Sequence, residues 1–215
     1  GGRYCFRDQP NDSWGLGAWV YMRFLISSIR DALEKDCLIP ALMSSLTIPD
    51  AMGQCLYPEL VLKSGKRAAG QQYAKWFDCW AANDFLFPDE PSNEGETIPS
   101  QIFNGKMCWK LRCSLLHSGD YDVPVDAPEK DEGFDYTYKF ELVLHGCNAL
   151  CSSWPSPKNG ERATRSVTFR VDAATLARSL CDAAEACLKE TGETVSYSAL
   201  EVFDVAAWAD RSNTR

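Results

Sequence analysis

Only two of the 215 residues are histidines, and one of them, His117, follows Arg112 with four residues between. These two residue types suit proton transfer beside an anion. An imidazole, with a reference pKa of about 6.5, exchanges protons near neutrality. A guanidinium presents a fixed fork of donors to an oxyanion. Lys110 and Ser114, on either side of the arginine, are candidate substrate-binding helpers. A purely structural role is the alternative: Arg112 would pair with an acid such as Asp78 or Asp84, and His117 would cap its own helix.

The element carrying the pair reads as an apolar helix from Met107 that stops at Gly119, a natural C′ residue. His117 falls in its last turn, where the negative end of the helix dipole favours a protonated ring. Five residues at about 100° each leave Arg112 and His117 roughly 140° apart on an ideal helix. They converge only if the last turn unwinds near Gly119, or if a second copy contributes across a two-fold axis.

Upstream, Trp14 to Cys37 predicts a long helix with Val20, Phe24, Ile29 and Leu33 on its apolar stripe, widened by Tyr21, Leu25 and Ile26. Pro40 opens a helix continuing to Leu46, and Ile48 to Gly53 restarts or kinks the chain at Pro49, with Gly53 closing a turn. A loop follows at Lys63–Arg67, then a helix over 68–82 with Tyr73, Trp76, Phe77 and Trp80 on one aromatic face. That face fits a core, or the interface of a homodimer. Residues 83–99 are proline-rich, acidic and non-periodic, hence a loop.

Downstream the period changes. Tyr136–Leu144 and Ser166–Val171 alternate and are rich in β-formers, which predicts an antiparallel strand pair joined through 146–165. Asp172 caps a helix over 173–190, and a short final helix covers about 198–209. The expected architecture is a mainly α single domain over 3–210, with α+β as the alternative. Its helical part spans 14–119; the small strand pair and the closing helices span 136–210.

Leu111-Arg-Cys-Ser-Leu-Leu-His117 and the glycine after Ser118 resemble the Arg-x4-His signature of the HEPN superfamily of helical, RNA-directed proteins. Ile48-Pro-Asp-x-x-Gly53, Tyr73-x-x-Trp-Phe77 and Val171-Asp-x-x-x-Leu176 are similar, in order, to uncharacterised bacterial and phage members. The resemblance covers most of residues 20–190 loosely, and only 107–119 carries a chemical motif. It implies a HEPN-like helical bundle, a homodimer, and a metal-independent endoribonuclease of the stress, toxin or phage-defence kind. In that reading His117 moves the proton of a ribose 2′-hydroxyl or of the leaving oxygen, and Arg112 stabilises the phosphate. The residue after the arginine, often Asn, Asp or His in active members, is Cys113 here. That departure favours the alternative, a non-catalytic helical module binding RNA or a protein.

Composition narrows the rest. A net charge of −8 argues against coating nucleic acid broadly, so no DNA partner is expected, but it leaves room for a narrow basic cleft. Acids concentrate in 84–96 (five, with no base) and 120–135 (seven, with Lys130), leaving Lys106, Lys110 and Arg112 as a positive island between them. No run of eighteen apolar residues and no leader-like start predicts a cytoplasmic chain outside the membrane. Of ten cysteines, Cys37, Cys79, Cys108, Cys181 and Cys187 fall in apolar patterns and read as small hydrophobes. There is no CxxC pair, no P-loop, no dinucleotide fingerprint and no HExxH, so neither metal nor cofactor is expected. A Cys–His hydrolase using His117 or His145 is a further, weaker option.

Overall fold

The computed structural model describes residues 16–85, 103–118, 135–153 and 164–191. Along the chain run α1 (Leu16–Glu34), α2 (Leu38–Ser45), α3 (Ile48–Leu56), α4 (Ala69–Trp80) and a 3-10 turn (Ala82–Phe85). Then come α5 (Gly105–Cys113), a π turn (Ser114–Ser118), β1 (Asp135–Val143), β2 (Ala149–Ser153), β3 (Thr164–Asp172) and α6 (Ala173–Thr191). The chain is mainly α with a small β part. The helix expected at 198–209 lies outside the described residues.

The buried stripe of α1 is Met22, Ile26, Ile29 and Leu33, a clean i, i+4, i+7, i+11 series. Phe24, expected on that stripe, points outward at 54% exposure. Two positions from Met22 and Ile26 is about 200° round the helix, so Phe24 cannot share their face. α6 is the hub of the bundle. Its Leu176, Ala177, Leu180, Cys181, Ala184 and Cys187 are fully buried, and it packs against α1, α2, α3, α4 and β3. Small residues on much of its surface let so many neighbours approach.

The aromatic face of α4 is core. Trp76 and Phe77 are fully buried, and Trp80 packs partly buried against the same cluster. Phe77, Phe85 and Phe103 form a triangle of ring contacts at 5.2–5.7 Å, and Phe103 stacks on Phe140 of β1 at 5.8 Å. Each such ring contributes about 1.5–3 kcal/mol by burial. This removes Trp76 and Phe77 as interface candidates. Cys108, Cys181 and Cys187 are buried as expected, whereas Cys37 is exposed at the start of α2 and Cys79 is intermediate.

The sheet corrects the expected pairing. β1 and β3 run parallel, with Phe140 opposite Phe169, and a third strand, β2, pairs antiparallel on the other edge of β3. The order is β1-β3-β2. The chain leaves β1, crosses over the end of β3, descends as β2 and returns between the two. Asp172 sets that crossing: its Oδ2 accepts from the Gly146 amide (3.1 Å), and its own amide donates to Asn148 Oδ1 (2.8 Å). Its Oδ1 also accepts from the Thr175 amide and hydroxyl (both 2.8 Å), capping α6 as expected. Phe140, Phe169 and Val171 point to the core, while Lys139, Glu141 and Arg170 pair outside at 2.7–2.8 Å.

Candidate functional site

Three helices bring the site together, and two glycines set how closely. α3 packs on α4, and α4 on α5. A methyl group at Gly53 would stand 2.6 Å from the Gln72 carbonyl oxygen, and one at Gly105 2.2 Å from that of Ala74. Gly53, expected to close a turn, therefore sits inside α3 as a close-approach residue. Pro49 lies in the first turn of α3, where proline is tolerated, so the restart falls at Ile48 rather than within the helix.

α5 starts on two caps. Asn104 Oδ1 accepts from the Met107 amide (3.0 Å), and Asp78 Oδ1 accepts from the Gly105 amide (2.7 Å). Burial pushes the Asp78 carboxyl upward, against the pull of the Gly105 amide. Asp78 is thus committed to α5's start, and Asp84 accepts from Ser179 (2.5 Å). Neither acid is the partner of Arg112.

Among the described residues the acid paired with Arg112 is Asp50, in the first turn of α3. Arg112 Nη2 donates to Asp50 Oδ2 at 3.3 Å, and its guanidinium lies 4.9 Å from the Trp109 ring centroid. Arg67 holds the other carboxylate oxygen: its Nη2 donates to Asp50 Oδ1 (2.6 Å) and to the Asp50 carbonyl (2.8 Å). Arg67 Nε donates to Gln72 Oε1 (2.5 Å), and the buried Gln72 donates onward to the carbonyls of Tyr57 (2.8 Å) and Leu60 (3.2 Å). A frame of hydrogen bonds runs from the backbone of 57–60 through Gln72, Arg67 and Asp50 to Arg112. Two guanidinium groups share one carboxylate. The Arg112 side chain is 16% exposed, that of Asp50 24% and that of Arg67 34%, so the cluster borders solvent. On its α1 side a cleft of about 100 Å³ is lined by Tyr21, Leu25, Thr47, Asp50, Ala51 and Gln54. That is below the 300–1,000 Å³ of a typical small-molecule pocket.

After Cys113 the helix widens into the π turn Ser114–Ser118. Such a turn closes on i→i+5 hydrogen bonds, so each of its residues advances by less than the about 100° of an α-helix. Arg112 itself lies in α5, so only the steps beyond Ser114 are widened, and position 117 stands somewhat less far round from Arg112 than the roughly 140° of an ideal helix. The side chain of His117 lies outside the described residues. Lys110 and Ser114 are one turn apart and share a stripe. Each is two residues from Arg112, a spacing at which helix side chains do not face each other. The backbone thus puts 110 and 114 on one stripe and narrows the angle between 112 and 117.

Two thiols near the cluster are poor nucleophiles. Burial pushes Cys108 up to about 12 and Cys55 up to about 11, and Cys108 contacts the Tyr73 hydroxyl at 3.3 Å. His145, on the loop over β3, lies 3.7 Å from the Asp36 carboxylate. Among the described residues no group of three or more His, Cys, Asp or Glu could hold a metal ion, and no helix is long and apolar enough to cross a membrane.

Asp50, Arg67 and Gln72 were not site candidates in the sequence. Asp50 had one signal, its place in the Ile-Pro-Asp stretch; Arg67 and Gln72, in a basic loop and a helix start, had none. Compared with family models, with curated proteins and with solved structures, the chain matches none of them.

Proposed function

We propose that the chain is a metal-independent endoribonuclease built on Arg112 and His117. The observation that carries this is the π turn across the second half of the Arg-x4-His stretch, which narrows the angle between the two positions. π turns of this kind concentrate at functional sites. His117 takes the proton from a ribose 2′-hydroxyl, and the 2′-oxygen attacks the adjacent phosphorus. The bond from phosphorus to the 5′-oxygen breaks, leaving a 2′,3′-cyclic phosphate; water gives its proton to the departing 5′-oxygen, and the proton held by His117 neutralises the hydroxide so formed. Arg112, held by Asp50, stabilises the charge that builds on the phosphate. The cytoplasmic setting expected from the sequence and the homodimer implied by the resemblance belong to this proposal.

The test is cleavage of single-stranded RNA in EDTA, with thermal melting on the same preparations. His117→Ala should lose about a hundred- to ten-thousand-fold in rate with its melting point kept. Arg112→Lys should rescue Arg112→Ala poorly, because an ammonium lacks the fork. RNA with a 2′-deoxy sugar at the cleaved position should resist. Cleavage by a well-folded His117→Ala protein at the wild-type rate would overturn the assignment.

The second reading, a non-catalytic RNA- or protein-binding module, is favoured by one feature. Arg112 is engaged by Asp50 and mostly covered, as a purely structural arginine would be. Wild-type protein that binds RNA without cutting it would select that reading.

A further inference from the structure

Between Leu60 and Phe77 the chain carries Lys63, Lys66, Arg67 and Lys75 and no acid, within a protein whose net charge is −8. The fold makes part of this stretch a defined hairpin. Val61 bridges Arg67, Leu62 N donates to the Lys66 carbonyl (2.7 Å), Gly65 N donates to the Leu62 carbonyl (2.8 Å), and Ala68 N donates to that of Leu60 (3.1 Å). Gly65 has φ +76°, the left-handed residue that ends a three-residue hairpin loop. Residues 61–66 are all exposed, so Lys63 and Lys66 project from an ordered tip. Lys75 is occupied elsewhere, at 3.4 Å from Glu59 and 4.2 Å from the Tyr57 ring centroid. Lys63 and Lys66 have no carboxylate partner among the described residues.

The base of the hairpin is where it joins the site. Arg67 and Arg112, 45 positions apart in the sequence, meet on the two oxygens of Asp50. From Arg67 the tip extends roughly 10 Å at about 3.4 Å per strand residue. That is enough to reach phosphates neighbouring one held at Arg112 on a single strand. Val61 (53% exposed) and Leu62 (47%) add apolar surface beside the lysines. A single-stranded nucleic acid presents phosphates and base faces together, and this hairpin offers a counterpart to both.

We propose that the 60–68 hairpin is an RNA-backbone track, in which Lys63 and Lys66 hold phosphates flanking the one at Arg112. This rests on the ribonuclease reading for the position of the scissile phosphate, but its measurement is binding, not cleavage.

The experiment uses the full chain and a fluorescein-labelled 2′-O-methyl oligouridine, which lacks the nucleophile and is not cut. Fluorescence anisotropy across a salt series gives Kd and its salt slope. The Lys63→Ala/Lys66→Ala double variant should weaken binding about tenfold or more. It should also lower the log–log slope by about 1.4, from two lost single-strand phosphate contacts. Lys189→Ala, at the far end of α6, should change neither.

Unchanged affinity and slope in the double variant would overturn the track, even if the wild type cleaves RNA. A lysine-dependent Kd in a protein that never cleaves would uphold the track and remove the nuclease. No binding by the wild type would overturn both. Competition by poly-glutamate as strong as by unlabelled RNA of equal charge would overturn the assignment to RNA.

Discussion

Replacing Asp50 by asparagine keeps the shape of the side chain and removes the charge that two arginines share. Hydrogen bonds to charged groups contribute about 1.5–3 kcal/mol each. The Arg112 contact, at 3.3 Å, belongs at or below the low end, and the Arg67 contact, at 2.6 Å, is the stronger. Arg67 keeps the Asp50 carbonyl and Gln72 in the variant, and solvent at a one-third-exposed guanidinium screens part of its loss. The net cost of Asp50→Asn should therefore be about 1.5–3 kcal/mol. For a chain of this size that lowers Tm by about 3–12 °C. A double-mutant cycle with Arg112→Gln should show about 1 kcal/mol of coupling. The sign of the effect on RNA binding is the sharper test. By Coulomb's law alone, removing a negative charge beside a phosphate site tightens binding. If Asp50 instead orients Arg112, the anisotropy Kd rises in the variant despite the more favourable net charge. Zero coupling in the cycle, or tighter RNA binding by Asp50→Asn, would refute the view that Asp50 positions Arg112.

Two further outcomes follow from the packing and the caps. Gly105→Ala places its methyl 2.2 Å from the backbone oxygen of Ala74, which cannot swing aside as a side chain could. Urea unfolding should show a loss at or above the usual 1–3 kcal/mol of overpacking, roughly, and an unchanged midpoint would contradict the close α4–α5 approach. Asp172 titrates below the ordinary carboxylate value: burial pushes it up, but the Thr175 and Gly146 hydrogen bonds outweigh this. A depressed folded pKa contributes stability that is present above the unfolded value and lost as pH falls through the folded one. The stability gap between wild type and Asp172→Asn should accordingly be full at neutral pH and shrink below about pH 4, where the unfolded carboxyl titrates. A gap that widens in acid would show that Asp172 is not the charged cap described.

Local patterns determined most of the secondary structure. Apolar spacing marked α1, α4 and α6, proline and glycine marked the breaks around α2 and α3, and alternation marked β1 and β3. Asp172 declared itself as a cap because capping is chemistry between near neighbours. β2 escaped notice because Ala149–Ser153 is short and does not alternate, and it is held by its partner rather than by its own pattern. Parallel pairing of β1 with β3 was equally hidden. Alternation fixes which face a residue takes, but neither strand order nor direction, which here depend on a loop crossing to Asp172. The site divides in the same way. Arg112 and His117 were visible because they lie on one segment, and their spacing made a local unwinding the question to ask. That the helix turns π after Cys113 is a backbone outcome no residue type announces. That Arg112 meets Asp50, 62 positions away, and shares it with Arg67, arises only when α3, α4 and α5 close over Gly53 and Gly105. Charges choose partners by distance in space, and only the packed helices set that distance.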